Sequence, residues 1–244
     1  MGLPRKSRPI FSTTLPISGE KIDFHPMRRE DEKILLMAKS SAQKAPQGEA
    51  ILEILPAIKH TVEACITPET KARMKPMTLV DMEWLFIQIR MMSVDSKVTV
   101  TYHDGDDEKD FSFEIPLNEV KVNKPDVKPH IDLGDGLVLQ MRYPLASLYE
   151  DAAFLRLEGE DQLDAMIVAC MDKVFENDSM TPVDSVPKEE AIGFINDMDR
   201  VTFNKVVEFL DTLPSLEYKI SYKNTNGKDR EIILNTLTDF FTFV

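Results

Sequence analysis

The sequence predicts an α+β fold of two tandem related β-α-α-α-β-β units, with helices packed on antiparallel hairpins. Three observations carry this. Apolar residues recur every three or four positions in some segments and every second position in others. Anchors recur far along the chain: Tyr102 with Tyr222 at an offset of 120, Lys109-Asp110 with Lys228-Asp229 at 119, and Pro26 with Pro144 at 118. Such self-similarity marks a duplicated unit. Finally, 244 residues with 43% hydrophobic and 29% charged content are an ordinary globular mixture, long enough to bury a core without staples.

The elements follow in order. Residues 1–18 carry Pro4, Pro9 and Pro16, several cations and no acid, and read equally as an extended basic arm or a disordered tail. A strand at Lys21–His25 alternates Ile22 and Phe24 with polar neighbours, and Pro26 ends it. The helix that follows places Glu30, Asp31 and Glu32 in its first turn, where carboxylates favour the positive dipole end. A second helix spans about Glu49 to Cys65 with Pro56 inside it, and Thr67-Pro68 begins the connection to the next. Thr78-Leu79-Val80-Asp81 resembles a capping box with Asp in the Glu position. The helix it opens is apolar over most of its circumference, so it reads as central, with Trp84 in the core. Val98–Tyr102 and Phe111–Ile115 alternate around a long polar turn, 103–110, and form a hairpin.

The second unit repeats the order. After Gly134-Asp135-Gly136 a strand, 137–143, ends at Pro144. A helix follows, then another from about Asp161 to Phe175. Thr181-Pro182 matches Thr67-Pro68, and Pro187 opens a helical stretch to Leu213 broken near Asp199. Tyr218–Tyr222 and Glu231–Leu234 form the second hairpin. The expected organisation is therefore an arm (1–18), a first unit (19–125) and a second unit (126–244).

Composition excludes several function classes. Lys plus Arg is 29 against 42 Asp plus Glu, a formal charge of −13. That balance argues against nucleic acid and against an anionic membrane surface, both of which need a local excess of cations. The two cysteines, Cys65 and Cys170, lack a CxxC and exclude a disulfide scaffold or a cysteine-rich zinc site. They are expected to stay reduced in a cytoplasm. No apolar run spans a membrane, and no apolar stretch follows the basic N-terminus to make a secretory signal.

Catalytic patterns do not emerge. The chain has no GxSxG, GxGxxG, Walker A, HExxH or EF-hand motif. The acidic stretch Asp104–Glu108 lacks the ligand spacing of a calcium loop and reads as a solvated turn. Asp23 and His25 share a strand face, but nothing supplies a nucleophile beside them. No cofactor or metal is expected. The candidate binding residues are the basic ones near the N-terminus, Arg5, Lys6, Arg8, Arg28 and Arg29, which in so acidic a chain suit an acidic protein surface. Phe241 and Phe243 join them, in an end that either packs on the last hairpin or meets a partner.

Two segments point to a family: Phe24-His25-Pro26-Met27 with Glu32–Lys39, and Asp81–Arg90 with Ser93-Val94. With Leu137-Val138 and Met141–Pro144, they resemble the baseplate hub proteins of T-even-like contractile-tail phages. That family includes a hub subunit and a related hub assembly catalyst. The resemblance implies a non-enzymatic viral tail protein acting in assembly of the central baseplate hub. Its implied partners are other hub proteins, the tape-measure protein and the central spike complex. Its implied location is the host cytoplasm during assembly and then the virion tail baseplate. A transient assembly chaperone absent from the mature virion is the alternative, and a hydrolase using surface carboxylates or a nucleic-acid binder using the basic arm are the readings from other classes. Oligomeric state is left open by the sequence.

Overall fold

A computed structural model describes residues 7–45, 50–126 and 128–240. The protein is a mixed α+β chain whose strands form small antiparallel sheets. It divides into two compact units: residues 1–123 with 215–244, and residues 124–214. These units do not follow the linear order expected from the repeat. Both expected hairpins fall in the first unit, because the second returns to pair with a strand of the first.

In the first unit, β1 (Phe11–Thr14) pairs antiparallel with β2 (Lys21–Phe24), with Phe11 opposite Phe24. Part of the expected arm is thus a strand. Ile22 and Phe24 point inward and are almost fully buried, as their alternation required. Four helices follow: α1 (Arg29–Ala42), α2 (Ala50–Cys65), α3 (Pro68–Arg73) and α4 (Leu79–Ser93). The acids Glu30, Asp31 and Glu32 occupy the first turn of α1, and the Asp31 carboxylate accepts from the Arg28 N–H at 2.7 Å. Thr67 caps α3 by accepting from the Thr70 N–H, with Pro68 at the first helical position.

Helix α4 is the centre of this unit. Met82, Leu85, Phe86, Ile87 and Ile89 are each at most 1% exposed. Full burial of such side chains stabilises by about 1.5–3 kcal/mol apiece. Trp84 departs from expectation: it is only half-buried, and its ring N–H reaches the Thr13 hydroxyl at 3.4 Å. The capping box is also half-formed. Thr78 accepts from the Asp81 N–H, but the Asp81 carboxylate turns elsewhere and accepts from the Ile17 and Ser18 N–H groups at 2.8 and 3.1 Å. A buried acid on α4 thereby holds the turn that follows β1.

The hairpins complete the unit. Strand β3 (Lys97–Asp104) pairs with β4 (Lys109–Pro116) over eight residues each. The turn is therefore 105–108, shorter than the polar composition implied. Strand β10 (Ser215–Lys223) pairs with β11 (Asp229–Leu234) on one side and with the short β5 (Lys121–Asn123) on the other.

The second unit is an antiparallel meander of β6 (His130–Gly134), β7 (Leu137–Met141), β8 (Met171–Glu176) and β9 (Ser179–Pro182). It carries α5 (Gly159–Cys170), α6 (Lys188–Asn196) and α7 (Arg200–Leu210). Ile131, Leu139, Met141, Ile167, Ile195 and Val206 are among its core residues. The break near Asp199 is real: that side chain caps α7 by accepting from the Val201 and Thr202 N–H groups at 2.8 and 2.9 Å.

Three expectations change here. The helix expected to reach Phe175 ends at Cys170, and residues 171–176 become β8 because β7 offers them a complete hydrogen-bonding edge. The stretch after Pro144 forms short 3-10 turns at Ala146–Glu150 and Phe154–Arg156 rather than an α-helix. Thr181 lies in β9 and caps nothing, unlike Thr67. The β6–β7 turn places Asp135 and Gly136 at φ of 50° and 79°. A side chain at Gly136 would also come within 2.8 Å of Asn177 Oδ1.

Candidate partner-binding surfaces

The first candidate surface is the basic corner at the start of α1. Arg8 lies beside it because its Nη1 donates to the Pro26 carbonyl at 3.0 Å. One residue on, the Pro9 carbonyl sits 2.9 Å from His25 Nδ1. The Arg28 and Arg29 side chains are exposed at the same corner, with Arg28 paired to Glu30 at 2.8 Å. The hydrogen bond to Glu30 holds the Arg28 guanidinium above its usual range. Of the candidate residues, Arg8, Arg28 and Arg29 are thus brought together. Arg5, Lys6, Phe241 and Phe243 lie outside the described residues.

The second feature joins the two hairpin turns. Asp104 is 2% exposed although it stands in the stretch that composition marked as solvated. It accepts from Tyr222 Oη at 2.7 Å and from Arg230 Nη2 at 3.3 Å. Arg230 also pairs with Asp106, and Asp107 accepts from the Thr225 N–H and hydroxyl at 2.8 and 2.7 Å. Rings of Phe111 and Phe113 lie 4.9 and 5.2 Å from that of Tyr222. Burial, and then the bond to Asp104, push the Tyr222 phenol up to about 12. The same bond, first among several, holds the Asp104 carboxyl below its usual range. Both shifts favour the ionised acceptor and the neutral donor that this hydrogen bond requires, and the bond clamps the two hairpins together. On the same hairpin, the hydrogen bond that the exposed His103 ring donates to the Asp110 carboxylate raises the His103 imidazole.

A third feature is a cleft of about 160 Å³ against α1 and α4. Met27, Leu35, Leu36 and Val94 form its apolar wall, and Glu32, Lys39 and Arg90 its charged part. Leu36 and Val94 are 66% and 63% exposed, well above what large apolar side chains usually show. All seven lining residues belong to the two segments that carried the family resemblance. The cleft was not legible as a surface because its two cations lie fifty-one positions apart.

The second unit has its own apolar cleft, of about 380 Å³, lined by Leu137, Val174, Val183 and Phe194 among others. Beside it Arg142 makes a two-pronged ion pair with Asp184, both contacts 2.6 Å, and its Nε donates to the Ala169 carbonyl. This pairing raises the guanidinium and lowers the Asp184 carboxyl. Burial pushes the Cys65 and Cys170 thiols up to about 12, so neither is an activated nucleophile. Among the described residues, no group of three His, Cys, Asp or Glu side chains is placed to hold a metal, and no helix is long and apolar enough to cross a membrane.

Comparison with curated proteins and with solved structures gave no match. The model of the family described as T4 bacteriophage base plate protein matches residues 8–242, spanning both units. The chain belongs to the T4 bacteriophage base plate protein family.

Proposed function

We propose that this baseplate-family protein acts without catalysis in assembling the central hub of a contractile-tail baseplate, through protein–protein contacts. The family match over nearly the whole chain carries the reading. Its neighbours in this proposal are other hub proteins, the tape-measure protein and the central spike complex. The cations Arg5, Lys6, Arg8, Arg28 and Arg29 meet an acidic surface of one of them in this proposal. Among the described residues β11 is an edge strand, with Ile233 48% exposed, and it offers a further place for a partner strand.

The test is to block synthesis of the protein during infection and to isolate the tail intermediates. Baseplates without a central hub are expected. Complete tails formed in its absence overturn the reading. Mass spectrometry of intact virions then separates a structural subunit, which is retained, from an assembly factor, which is found only in intermediates.

A further inference from the structure

We infer that the cleft against α1 and α4 is a docking site for a partner-protein segment that presents a carboxylate next to an apolar side chain. The inference rests on the proposed assembly role only in requiring a protein partner. The geometry of the cleft supplies the rest. Its volume of about 160 Å³ suits a single side chain, and its apolar wall ends in the exposed Leu36 and Val94.

Charge selects the occupant. Lys39 and Arg90 both line the cleft. Lys39 comes from the last turn of α1 and Arg90 from the last turn of α4. Among the described residues, neither makes a salt bridge, and Arg90 Nε is a buried donor with no acceptor. Buried N–H groups are nearly always paired, so this one marks a missing acceptor. The groups facing the two cations are Glu32, which also lines the cleft, and Asp95, which acts on Arg90 only at longer range. Burial, and for Lys39 also the charge of Arg90, lower both cations below their usual ranges. A carboxylate seated between them would relieve that repulsion and satisfy the orphan N–H. An adjacent apolar side chain would cover Leu36 and Val94.

The experiment places a photo-crosslinking amino acid at Leu36, and separately at Val94, in the full chain during assembly. Mass spectrometry identifies the crosslinked peptide. The expected product is a peptide of another baseplate protein with an Asp or Glu within two residues of an apolar residue. A peptide without an acid, a second copy of this chain, or no product from a chain that is itself present in the particles overturns the inference. Absence of the chain from every particle and intermediate instead overturns the assembly role, so the two failures are distinguishable. A Lys39→Glu variant sharpens the test, because the carboxylate it introduces would give Arg90 an internal partner. Its melting temperature is expected to hold or rise while crosslinking falls about tenfold, as for loss of a partly buried interfacial charge pair. Undiminished crosslinking by this variant overturns the inference.

Discussion

Asp81 is a fully buried acid that ties α4 to the turn after β1. Replacing it with alanine removes the acceptor for two backbone N–H groups, those of Ile17 and Ser18. The residue is fully buried, so water does not substitute freely for the lost oxygens. A hydrogen bond to a charged acceptor contributes about 1.5–3 kcal/mol net, and an abandoned donor costs a similar amount. The two bonds together place the loss at about 3–4 kcal/mol, allowing for partial rehydration of a turn near the surface. That is a large share of the roughly 5–15 kcal/mol that holds a domain folded. Asp81→Asn keeps one acceptor oxygen and should lose about half as much. Denaturant melts give the total. Hydrogen exchange at the Ile17 and Ser18 amides gives the local effect, which should appear as loss of protection in the β1–β2 turn before the helices are affected. The reasoning is refuted if Asp81→Ala costs under about 1 kcal/mol and leaves both amides protected.

Other expectations concern the remaining polar groups. In an ultraviolet titration, the Tyr222 phenol should ionise near 12, and Tyr222→Phe should delete that step. Because folding raises this phenol, its contribution to stability is complete below about pH 10, the unfolded value, and is lost as pH rises through about 12. Asp184 has the opposite sign. Its carboxyl is lowered by Arg142, so the pair stabilises above the unfolded value of about 3.9 and fades as pH falls through the folded value. With Asp184 largely exposed, Asp184→Asn should cost no more than about 1 kcal/mol at neutral pH, and the mutant's acid melting curve should converge on that of the parent. Cys65 and Cys170 should resist alkylation at pH 8 in the native protein and react together on denaturation, as counted by mass spectrometry.

Much of the fold is legible in the sequence because one period dominates each segment. Helix α4 is apolar over most of its circumference, and the α6–α7 stretch carries both an opening proline and a capping aspartate at its break. Strands β5, β6 and β9 are hidden because three to five residues give too little alternation, and β5 in addition pairs with β10, far along the chain. Strand β8 reads as helix because its apolar residues continue from α5 without punctuation. The polar stretch 103–110 reads as solvated turn, yet Tyr222 and Arg230, more than a hundred residues later, draw Asp104 into the interior. The candidate surfaces divide in the same way. A run of local cations identifies the basic corner. The cleft against α1 and α4 depends on side chains from two helices, and its defining property, a donor without an acceptor, belongs to no sequence pattern.

The register of β5 against β10 has a consequence for synthesis and folding. Asn123 and Ser215, the residues at which the chain leaves and re-enters the first unit, are direct partners across two antiparallel strands. On the ribosome, residues 124–214 emerge as one continuous stretch, whereas the first unit must wait for its last hairpin. Closing a long flexible loop to bring Ser215 back to Asn123 carries an entropic cost that grows with the logarithm of loop length. Once the intervening stretch has folded with its ends close together, most of that cost is already met. The last hairpin then adds to an existing strand, and the barrier to completing the first unit is set locally.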